Sequence, residues 1–467
     1  MVLTSNLEIL DFKGLLLFVV AFLLVADYVK NRNPPNYPLC PFSLPLLGNV
    51  FNIDSKEPHI YLTKLGHAYN NIFSLRLGRD KVVFITGYKL VKEALVTQAE
   101  NVVDRPYTGL FFSNGEMWKK QRRFAMSTLR NFGLGKKTME LAICEESRFL
   151  LDEIDKQKGT QYFVFDPTIL FKKAVSNIIC QMVFGQRFDY ANHQFRTMLK
   201  YISKSIQLEG SIRGQQLIPS FKSLSMKHLP GPHNDMFSNY KLLQAFVGCC
   251  QTQATYFTSS IPDQKPHETT DGFDEENIVP CVLDLFLAGT ETTCTALCWG
   301  LIYLITYPEV QENVQGEIDR VIGRSKEPSI AVIHEILRFG EIVPMNGLQV
   351  ADKDTTLGEC FIPKVILPIL HSVLFDENEW ETPYKFNPGH FLDKEGQFVR
   401  RDAFMPFSAG KRVCLGEQLA RMELFLFFVS LFRKFRFSAA EGEKLNLDGV
   451  IGVTRTPGPF KIHAMAR

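Results

Sequence analysis

Residues 407–416, with the sequence Phe-Ser-Ala-Gly-Lys-Arg-Val-Cys-Leu-Gly, constrain the fold of this chain more than any other segment. A helical pattern follows, which predicts that Cys414 lies at a helix N-terminus, where backbone N–H groups and the helix dipole favour an anion. Gly410 leaves room for a flat group to approach the backbone. Arg412 can meet a carboxylate, and Phe407 can shield a sulfur from water. The loop therefore predicts a metal-binding thiolate; a buried structural cysteine in a glycine turn is the alternative.

The N-terminus carries an unbroken apolar run over Gly14–Ala26. With its apolar flank upstream, the run approaches the roughly 20 residues that a bilayer-spanning helix needs. Two basic residues follow it and no small-residue cleavage site does, so we expect a retained anchor with the body on the cytoplasmic side. The predicted organisation is a membrane anchor over 1–30, a Pro-rich hinge over 31–48 and one catalytic body over 49–467. A buried core helix is the alternative for the apolar run.

Helical periodicity dominates the body, whereas strand patterns are few. A strand is predicted over Lys81–Thr86, and short strand-like pieces broken by Gly and Pro follow after about 440. The predicted helices span about 115–130, 137–156, 168–184, 194–208, 235–255, 275–306, 308–322, 330–339 and 415–434. The fold class is therefore mainly α with a small β region.

Net charge and missing motifs exclude several functions. The formal net charge is +2, so the chain has no overall attraction to nucleic acid and none is expected as a partner. The sequence contains neither G-x-G-x-x-G nor G-x-x-x-x-G-K-[ST], the signatures of nicotinamide, flavin or nucleoside-triphosphate sites. Any redox chemistry on this chain would therefore need electrons from a partner.

The apolar segment Val279–Ile305 carries two polar neighbours, Glu291 and Thr292. An acid and a hydroxyl inside an apolar helix cost free energy unless they are partnered or used. The Thr292 hydroxyl can bond back to the carbonyl of Ala288 and bend the helix, while Gly289 thins it. The segment predicts an acid–alcohol pair that handles protons. A helix whose polar groups bond only among themselves is the alternative.

Two residue pairs have spacings that place them on one helix face. Trp118 and Arg122 are four residues apart, so an indole N–H and a guanidinium can reach one anion. Glu335 and Arg338 are three residues apart and can form a buried ion pair. Both spacings also occur by chance, and a basic surface helix would explain the first.

Together these motifs resemble the cytochrome P-450 superfamily, because the signature Phe-x-x-Gly-x-Arg-x-Cys-x-Gly is complete. Within it, the chain is most similar to the J subfamily of microsomal family two. The resemblance implies a haem-thiolate fold with haem b (iron protoporphyrin IX), in which the Cys414 thiolate is the axial ligand. Trp118 and Arg122 would bind a haem propionate. One N-terminal transmembrane anchor would hold the protein in the endoplasmic reticulum membrane.

The resemblance also implies the reaction, which inserts one oxygen atom from O2 into an apolar substrate. Two electrons come from NADPH through the flavoprotein NADPH-cytochrome reductase, and cytochrome b5 is a second candidate partner. The implied substrates are polyunsaturated fatty acids such as arachidonate, which would be epoxidised or hydroxylated, and lipophilic xenobiotics. Glu291 and Thr292 would deliver protons, and Ala288, Ile342 and Val343 would line the substrate cavity.

Two sets of supporting residues follow from the same resemblance. His390 would join Glu335 and Arg338 in a structural triad that supports the cysteine loop. A basic patch for docking of the reductase would be formed by residues from three segments of the chain: Lys119, Lys120, Arg123, Arg400, Arg401 and Lys411. Solvated surface charges are the alternative for the patch.

Several segments depart from the family pattern. The chain appears shortened around 107–114, 248–272 and 325–331, and Gln349 stands where relatives have an Arg or His that contacts a propionate. These departures suggest an alternative function, a haem-binding protein whose catalysis is impaired by shortened substrate-cavity segments. A second alternative, an electron carrier, leaves Glu291 and Thr292 without a purpose.

Overall fold

The computed structural model describes residues 2–45, 47–77, 80–105, 113–131, 137–156, 164–210, 232–251, 275–321, 327–351, 355–362 and 365–467. Of the segments predicted to be shortened, most of 107–114 and of 248–272 lies outside these ranges, whereas 325–331 is described from residue 327 onward.

The predicted mainly α fold is confirmed. The helices of the described residues span Val2–Lys30, Pro58–Ala68, Tyr88–Lys92, Gly115–Asn131, Lys137–Lys156, Pro167–Phe184, His193–Gly210, Pro232–Gln251, Glu275–Thr306, Pro308–Val321, Glu327–Gly340, His371–Leu374 and Glu417–Lys434. A π-helical turn, Glu93–Thr97, extends the third of these. The helix Pro58–Ala68 was not predicted, although Pro58 at its first position is a common helix start.

Four small sheets make up the β region of the described part of the chain. The largest has the strand order Ile72–Leu77, Asp80–Ile85, Val365–Pro368 and Gln349–Val350, with the middle pair parallel and the outer pairs antiparallel. The strand predicted over Lys81–Thr86 is the second of these. The other sheets join short strands near the C-terminus and in one hairpin: Val164–Phe165, Ile462–Ala466 and Phe435–Ala439; Gly449–Ile451 and Arg455–Pro457; Thr355–Leu357 and Cys360–Ile362.

The helix Glu275–Thr306, called the central helix below, organises the core. It packs against Pro167–Phe184, Glu327–Gly340 and Glu417–Lys434, and Trp299 on it is fully buried. Among the described residues its stretch Val279–Thr306 is long and apolar enough to cross a membrane, but most of that stretch is buried inside the protein. It is therefore a core helix, since burial against other helices satisfies an apolar face as lipid would.

The first helix, Val2–Lys30, differs from the others in exposure. All side chains from Lys13 to Ala26 are exposed, and Phe18, for example, exposes 67% of its surface. Beyond it, the segment predicted as a hinge is hydrogen-bonded to the body, because the Ser74 hydroxyl donates to the carbonyl of Pro38 at 3.0 Å. The membrane anchor over 1–30 stays a prediction.

Candidate active site

The cysteine loop is a tight turn closed by its own backbone. The N–H of Cys414 donates to the carbonyl of Phe407 at 3.0 Å, and that of Val413 donates to Gly410 at 3.2 Å. The following helix begins at Glu417, slightly later than the predicted start near 415. Cys414 therefore stands just before the helix, with its side chain free to point away from the turn.

Gly410 is required for a reason other than the predicted one. Its φ of +71° lies in the left-handed region, where a Cβ is disfavoured. A Cβ built on Gly410 would also overlap the carbonyl oxygen of Leu95, in the π-helical turn Glu93–Thr97. The glycine therefore lets two backbone segments approach each other. The expected approach of a flat ligand to this glycine stays a prediction.

In the protein alone, the surroundings of Cys414 favour the neutral thiol over the predicted thiolate. Burial raises the pKa of the Cys414 thiol, although the backbone N–H groups of Gly416 and Glu417 and the charge of Arg122 act in the opposite direction. The residue nevertheless has an exposed surface. Cys414 is thus surrounded by protein atoms and still has accessible surface, as expected for a residue that a bound group would cover.

Arg412 and Arg122 are held by backbone carbonyls rather than by a carboxylate. Arg412 Nε donates to Val103 at 2.7 Å and Nη2 to Ser113 at 2.5 Å, with the guanidinium 3.9 Å from the ring centroid of Trp118. Arg122 Nη2 donates to the carbonyl of Val413 at 2.8 Å. These bonds attach the cysteine loop to the helix Gly115–Asn131 and to the segment before it. The contact of Arg412 with a carboxylate stays a prediction.

A third arginine, Arg105, joins this group and was not predicted. Burial, and then the charge of Arg122, lower the pKa of Arg105 to about 10. Burial and the charge of Arg105 lower the pKa of Arg412 to about 9. Burial and mutual repulsion both disfavour the charges of this group, so an anion placed among the guanidinium groups would stabilise them. No local spacing links residue 105 to residue 412, which is why sequence patterns did not reveal the cluster.

One face of the central helix has accessible surface although the helix lies inside the protein. Ala288 is exposed in the middle of an otherwise buried helix, and the bond from Thr292 Oγ1 to the Ala288 carbonyl, at 2.6 Å, is exposed as well. Leu285 on this helix and Leu415 beside the cysteine pack against one small cluster that contains Ala125. The accessible helix face and the accessible thiol are thereby brought to the same region.

These observations agree with haem as the group that belongs between the loop and the central helix. Haem is flat, its two propionates are anionic, and its iron takes a thiolate ligand. The structure supplies an exposed cysteine at Cys414, a helix face that is exposed at Ala288, and the cluster of Arg105, Arg122 and Arg412 for negative charge. The residues present therefore fit this cofactor.

Glu291 and Thr292 point to different surroundings. Thr292 makes the predicted bond to Ala288 on the open side of the helix. Glu291 is buried and forms an ion pair with Lys172, whose Nζ lies 3.0 Å from Oε2. Ser203 Oγ accepts from Lys172 Nζ at 2.5 Å and donates to Glu291 at 3.2 Å. Lys172 and Ser203 were missed, because they come from two other helices far away in sequence.

The predicted triad of Glu335, Arg338 and His390 is present. The carboxylate of Glu335 accepts two hydrogen bonds from Arg338, both of 2.8 Å, and its Oε2 lies 3.3 Å from His390 Nδ1. Arg338 Nη1 also donates to the carbonyls of Leu374 and Pro383, at 2.8 and 2.9 Å. Because Arg338 and Glu335 are fully buried, this network fixes the loop that contains His390 against the helix Glu327–Gly340.

The remaining predicted site residues differ in their burial and in their ion pairs. Val343 is half-buried, whereas the Ile342 side chain is buried and contacts Gly340. In the basic patch, Lys119 Nζ lies 2.6 Å from Glu116, and Lys411 is paired with Glu100. Part of the positive charge of that patch is therefore balanced by neighbouring acids.

Comparison with known proteins agrees with this geometry. The Cytochrome P450 family model matches residues 38–464. Human cytochrome P450 2J2 is 44% identical, over 97% of this chain and 96% of that protein. Mouse cytochrome P450 2J5 is 42% identical, over 99% and 98%, and Oncorhynchus mykiss cytochrome P450 2K1 is 40% identical, over 97% and 96%.

The alignment with the human protein spans 488 positions, more than the 467 residues of this chain, so it contains gaps in this chain. The predicted shortening relative to family members agrees with these gaps. The family match extends over nearly the whole body and includes the cysteine loop, the central helix and the arginine cluster. This chain belongs to the cytochrome P450 family of haem-thiolate monooxygenases and is similar to the J subfamily of family two.

Proposed function

We propose that this protein is a membrane-anchored, reductase-dependent monooxygenase that inserts one oxygen atom from O2 into apolar substrates, with Cys414 as the thiolate ligand of the haem iron. The observation that carries the proposal is the accessible Cys414 thiol beside the open face of the central helix. Bound haem supplies the oxygen-activating chemistry. Its iron would hold the sulfur as a thiolate, since a coordinating metal deprotonates a thiol that burial alone keeps neutral.

The arginine cluster would hold the acidic side of the cofactor. Arg105, Arg122 and Arg412 would face the propionates, and Trp118 would support Arg412 through its ring. Phe407 would keep water away from the sulfur. A buried guanidinium whose pKa is lowered by its neighbours gains more from an added anion than an exposed one does.

The central helix would handle protons and substrate. Thr292 Oγ1 already donates to Ala288, so its oxygen can accept a hydrogen bond on the open side of the helix. Glu291 would exchange protons with water through Ser203, while Lys172 is the ion-pair partner of its carboxylate. Ala288, Ile342 and Val343 are the proposed substrate contacts, and apolar side chains of this kind favour apolar substrates.

The finer parts of the proposal concern the substrate, the partners and the location. Polyunsaturated fatty acids such as arachidonate, to be epoxidised or hydroxylated, are the proposed physiological substrates, together with xenobiotics. Electrons would come from NADPH-cytochrome reductase, with cytochrome b5 as a second donor. The exposed apolar side chains between residues 14 and 26 support an anchor in the endoplasmic reticulum membrane with the body in the cytoplasm.

A ferrous carbon-monoxide spectrum of the haem-loaded protein tests the ligand. The wild type should show the red-shifted Soret band of thiolate-bound haem, and Cys414→Ala should lose it. Retention of that band in Cys414→Ala would overturn the assignment of the ligand. Incubation with arachidonate, NADPH and reductase then tests turnover, with epoxide and alcohol products measured by mass spectrometry. A normal spectrum without any product would favour the impaired, haem-binding alternative.

A further inference from the structure

A second cluster of potential ligands lies away from the cysteine loop. It contains His59 in the helix Pro58–Ala68, Glu341 directly after the helix Glu327–Gly340, and His371 at the start of His371–Leu374. These residues are 2%, 4% and 7% exposed. One potential ligand atom of each lies within 4.8 Å of the others. Three segments that are distant in sequence therefore place two imidazoles and one carboxylate around a single point.

Both imidazoles of the cluster contact one carboxylate, and a bound ion would replace these direct contacts. His59 Nε2 lies 3.5 Å from Glu341 Oε1, and His371 Nδ1 lies 2.5 Å from Glu341 Oε2. The two imidazole rings are 4.9 Å apart and nearly perpendicular, at 89°, so that both direct a nitrogen to the same carboxylate. Two histidines and one carboxylate are the protein ligands of open, four-coordinate zinc sites.

The other nitrogen of His59 shows how the ring is held. Among the described residues, His59 Nδ1 is buried without a hydrogen-bond partner. A buried ring nitrogen without a partner costs free energy. The imidazole is therefore oriented through Nε2, the nitrogen that faces Glu341 and is the proposed ligand atom.

A cavity of about 650 Å³ leads to the cluster. Glu341 and His371 line this cavity together with Lys64, His67 and Tyr384. Tyr384 exposes 63% of its surface, so the cavity reaches the outside of the protein. A cation can therefore enter without passing the haem site, and water from the cavity can occupy a coordination position.

The positive charge of Arg455 disfavours a cation at this cluster. Arg455 Nε lies 3.4 Å from Glu341 Oε1. Its Nη2 donates to the carbonyl of Leu447 at 2.7 Å, and its guanidinium lies 4.4 Å from the ring centroid of Trp299. The guanidinium is thus held at the edge of the cluster, where it contacts the carboxylate from outside as the partner of a metal ligand does. Its charge should weaken the binding of a metal but leaves the ligand atoms in place.

We propose that His59, Glu341 and His371 bind one zinc ion, with water from the cavity as the fourth ligand. For His371 Nδ1 to coordinate the ion, its imidazole takes the tautomer that carries the hydrogen on Nε2, so no net proton is released. The bound ion would connect the helix Pro58–Ala68 to the ends of two later segments. Its role would be to stabilise that junction, independently of oxygen chemistry.

Zinc binding to the haem-loaded full chain tests the proposal. Protein freed of loosely bound metal is dialysed against zinc chloride, and bound zinc is measured by mass spectrometry. The wild type should bind one zinc per chain at this site and should unfold at a higher temperature with zinc than without it. His371→Ala and Glu341→Gln should each weaken this binding by about tenfold or more and remove the thermal shift.

His193→Ala is the matched control, because His193 is an exposed surface histidine. It should bind zinc as the wild type does. A thiolate-type carbon-monoxide spectrum in each variant shows that the fold is retained. If a variant does not fold, X-ray absorption at the zinc edge of the wild type decides, since the site requires two imidazole ligands. Absence of stoichiometric zinc in the wild type, equal binding in the ligand variants, or a zinc ion without two imidazoles would each overturn the proposal.

Discussion

Lys172 Nζ lies 3.0 Å from Glu291 Oε2, and this ion pair joins the helix Pro167–Phe184 to the central helix. The side chains are only 15% and 11% exposed, so water screens the pair weakly. An acid in the middle of an apolar helix is thereby partnered, and its carboxylate is directed away from the bond between Thr292 and Ala288. Although Glu291 and Thr292 are adjacent in sequence, their side chains therefore contact different parts of the protein.

Replacement of the lysine, Lys172→Met, should leave a buried carboxylate without its cation. We expect a loss of about 1–3 kcal/mol in the free energy of unfolding, less than for a fully buried pair because both side chains keep some exposure. Urea unfolding followed by circular dichroism measures it. The double variant Lys172→Met/Glu291→Gln should recover most of the loss, and Lys173→Met is the matched control. An unchanged unfolding midpoint for Lys172→Met would show that the pair does not stabilise the fold.

Removal of the hydroxyl in Thr292→Ala should leave the thiolate spectrum intact but release more hydrogen peroxide per NADPH oxidised. The reason is that proton delivery on the open face of the central helix loses its oxygen atom. Thr306→Ala is the matched control, since Thr306 makes the same kind of bond to Ile302, at 2.8 Å, at the far end of the helix. Equal coupling of oxygen consumption to product in both variants would contradict the role proposed for Thr292.

A methyl group at Gly410 should disrupt the cysteine loop. Gly410→Ala combines an unfavourable φ of +71° with overlap of the Leu95 carbonyl. Gly442→Ala has a φ of +76° but nothing within 4 Å of its new Cβ, so it isolates the cost of φ, about 1 kcal/mol. We expect the first variant to lose most of its thiolate-bound haem and the second to retain it. The carbon-monoxide spectrum at matched protein concentration provides the comparison.

The buried acid Glu423 should make stability depend on pH. Burial raises the pKa of Glu423 to about 8, although a hydrogen bond from Thr293 acts against this. In the unfolded chain the pKa is near 4.3. The folded state therefore holds a proton that the unfolded state releases, so stability is greatest below the unfolded value. It is lost progressively as pH rises and levels off once pH exceeds about 8.

Glu423→Gln removes this dependence. Between pH 6 and pH 8 the wild type should lose unfolding free energy that the variant keeps. The difference in unfolding free energy between the two should therefore grow by at most about 2–3 kcal/mol, from about 1.4 kcal/mol per pH unit. Urea unfolding at several pH values measures the difference, with Glu417→Gln as the control, because Glu417 is half-buried on the same helix. A difference between Glu423→Gln and wild type that stays constant with pH would contradict the raised pKa.

Contacts between residues close in sequence could be predicted from the sequence. The pair of Glu335 and Arg338 and the bond from Thr292 to Ala288 follow from helical spacing, because residues three or four positions apart meet on any α-helix. The motif around Cys414 likewise indicates the family, since its glycines and basic residue occupy fixed positions within ten residues. These local contacts were predicted correctly from the sequence alone.

Only the tertiary structure decided which residues that are far apart in sequence lie next to each other. Lys172 beside Glu291, Leu95 beside Gly410, and His59 beside His371 depend on how helices pack, and no periodicity encodes such a meeting. Packing also determines burial, and burial raises the pKa of Cys414, where the motif alone favoured an anion. The sequence by itself thus determined the family and the local contacts, whereas the three-dimensional packing decided the electrostatic surroundings in which each of these residues acts.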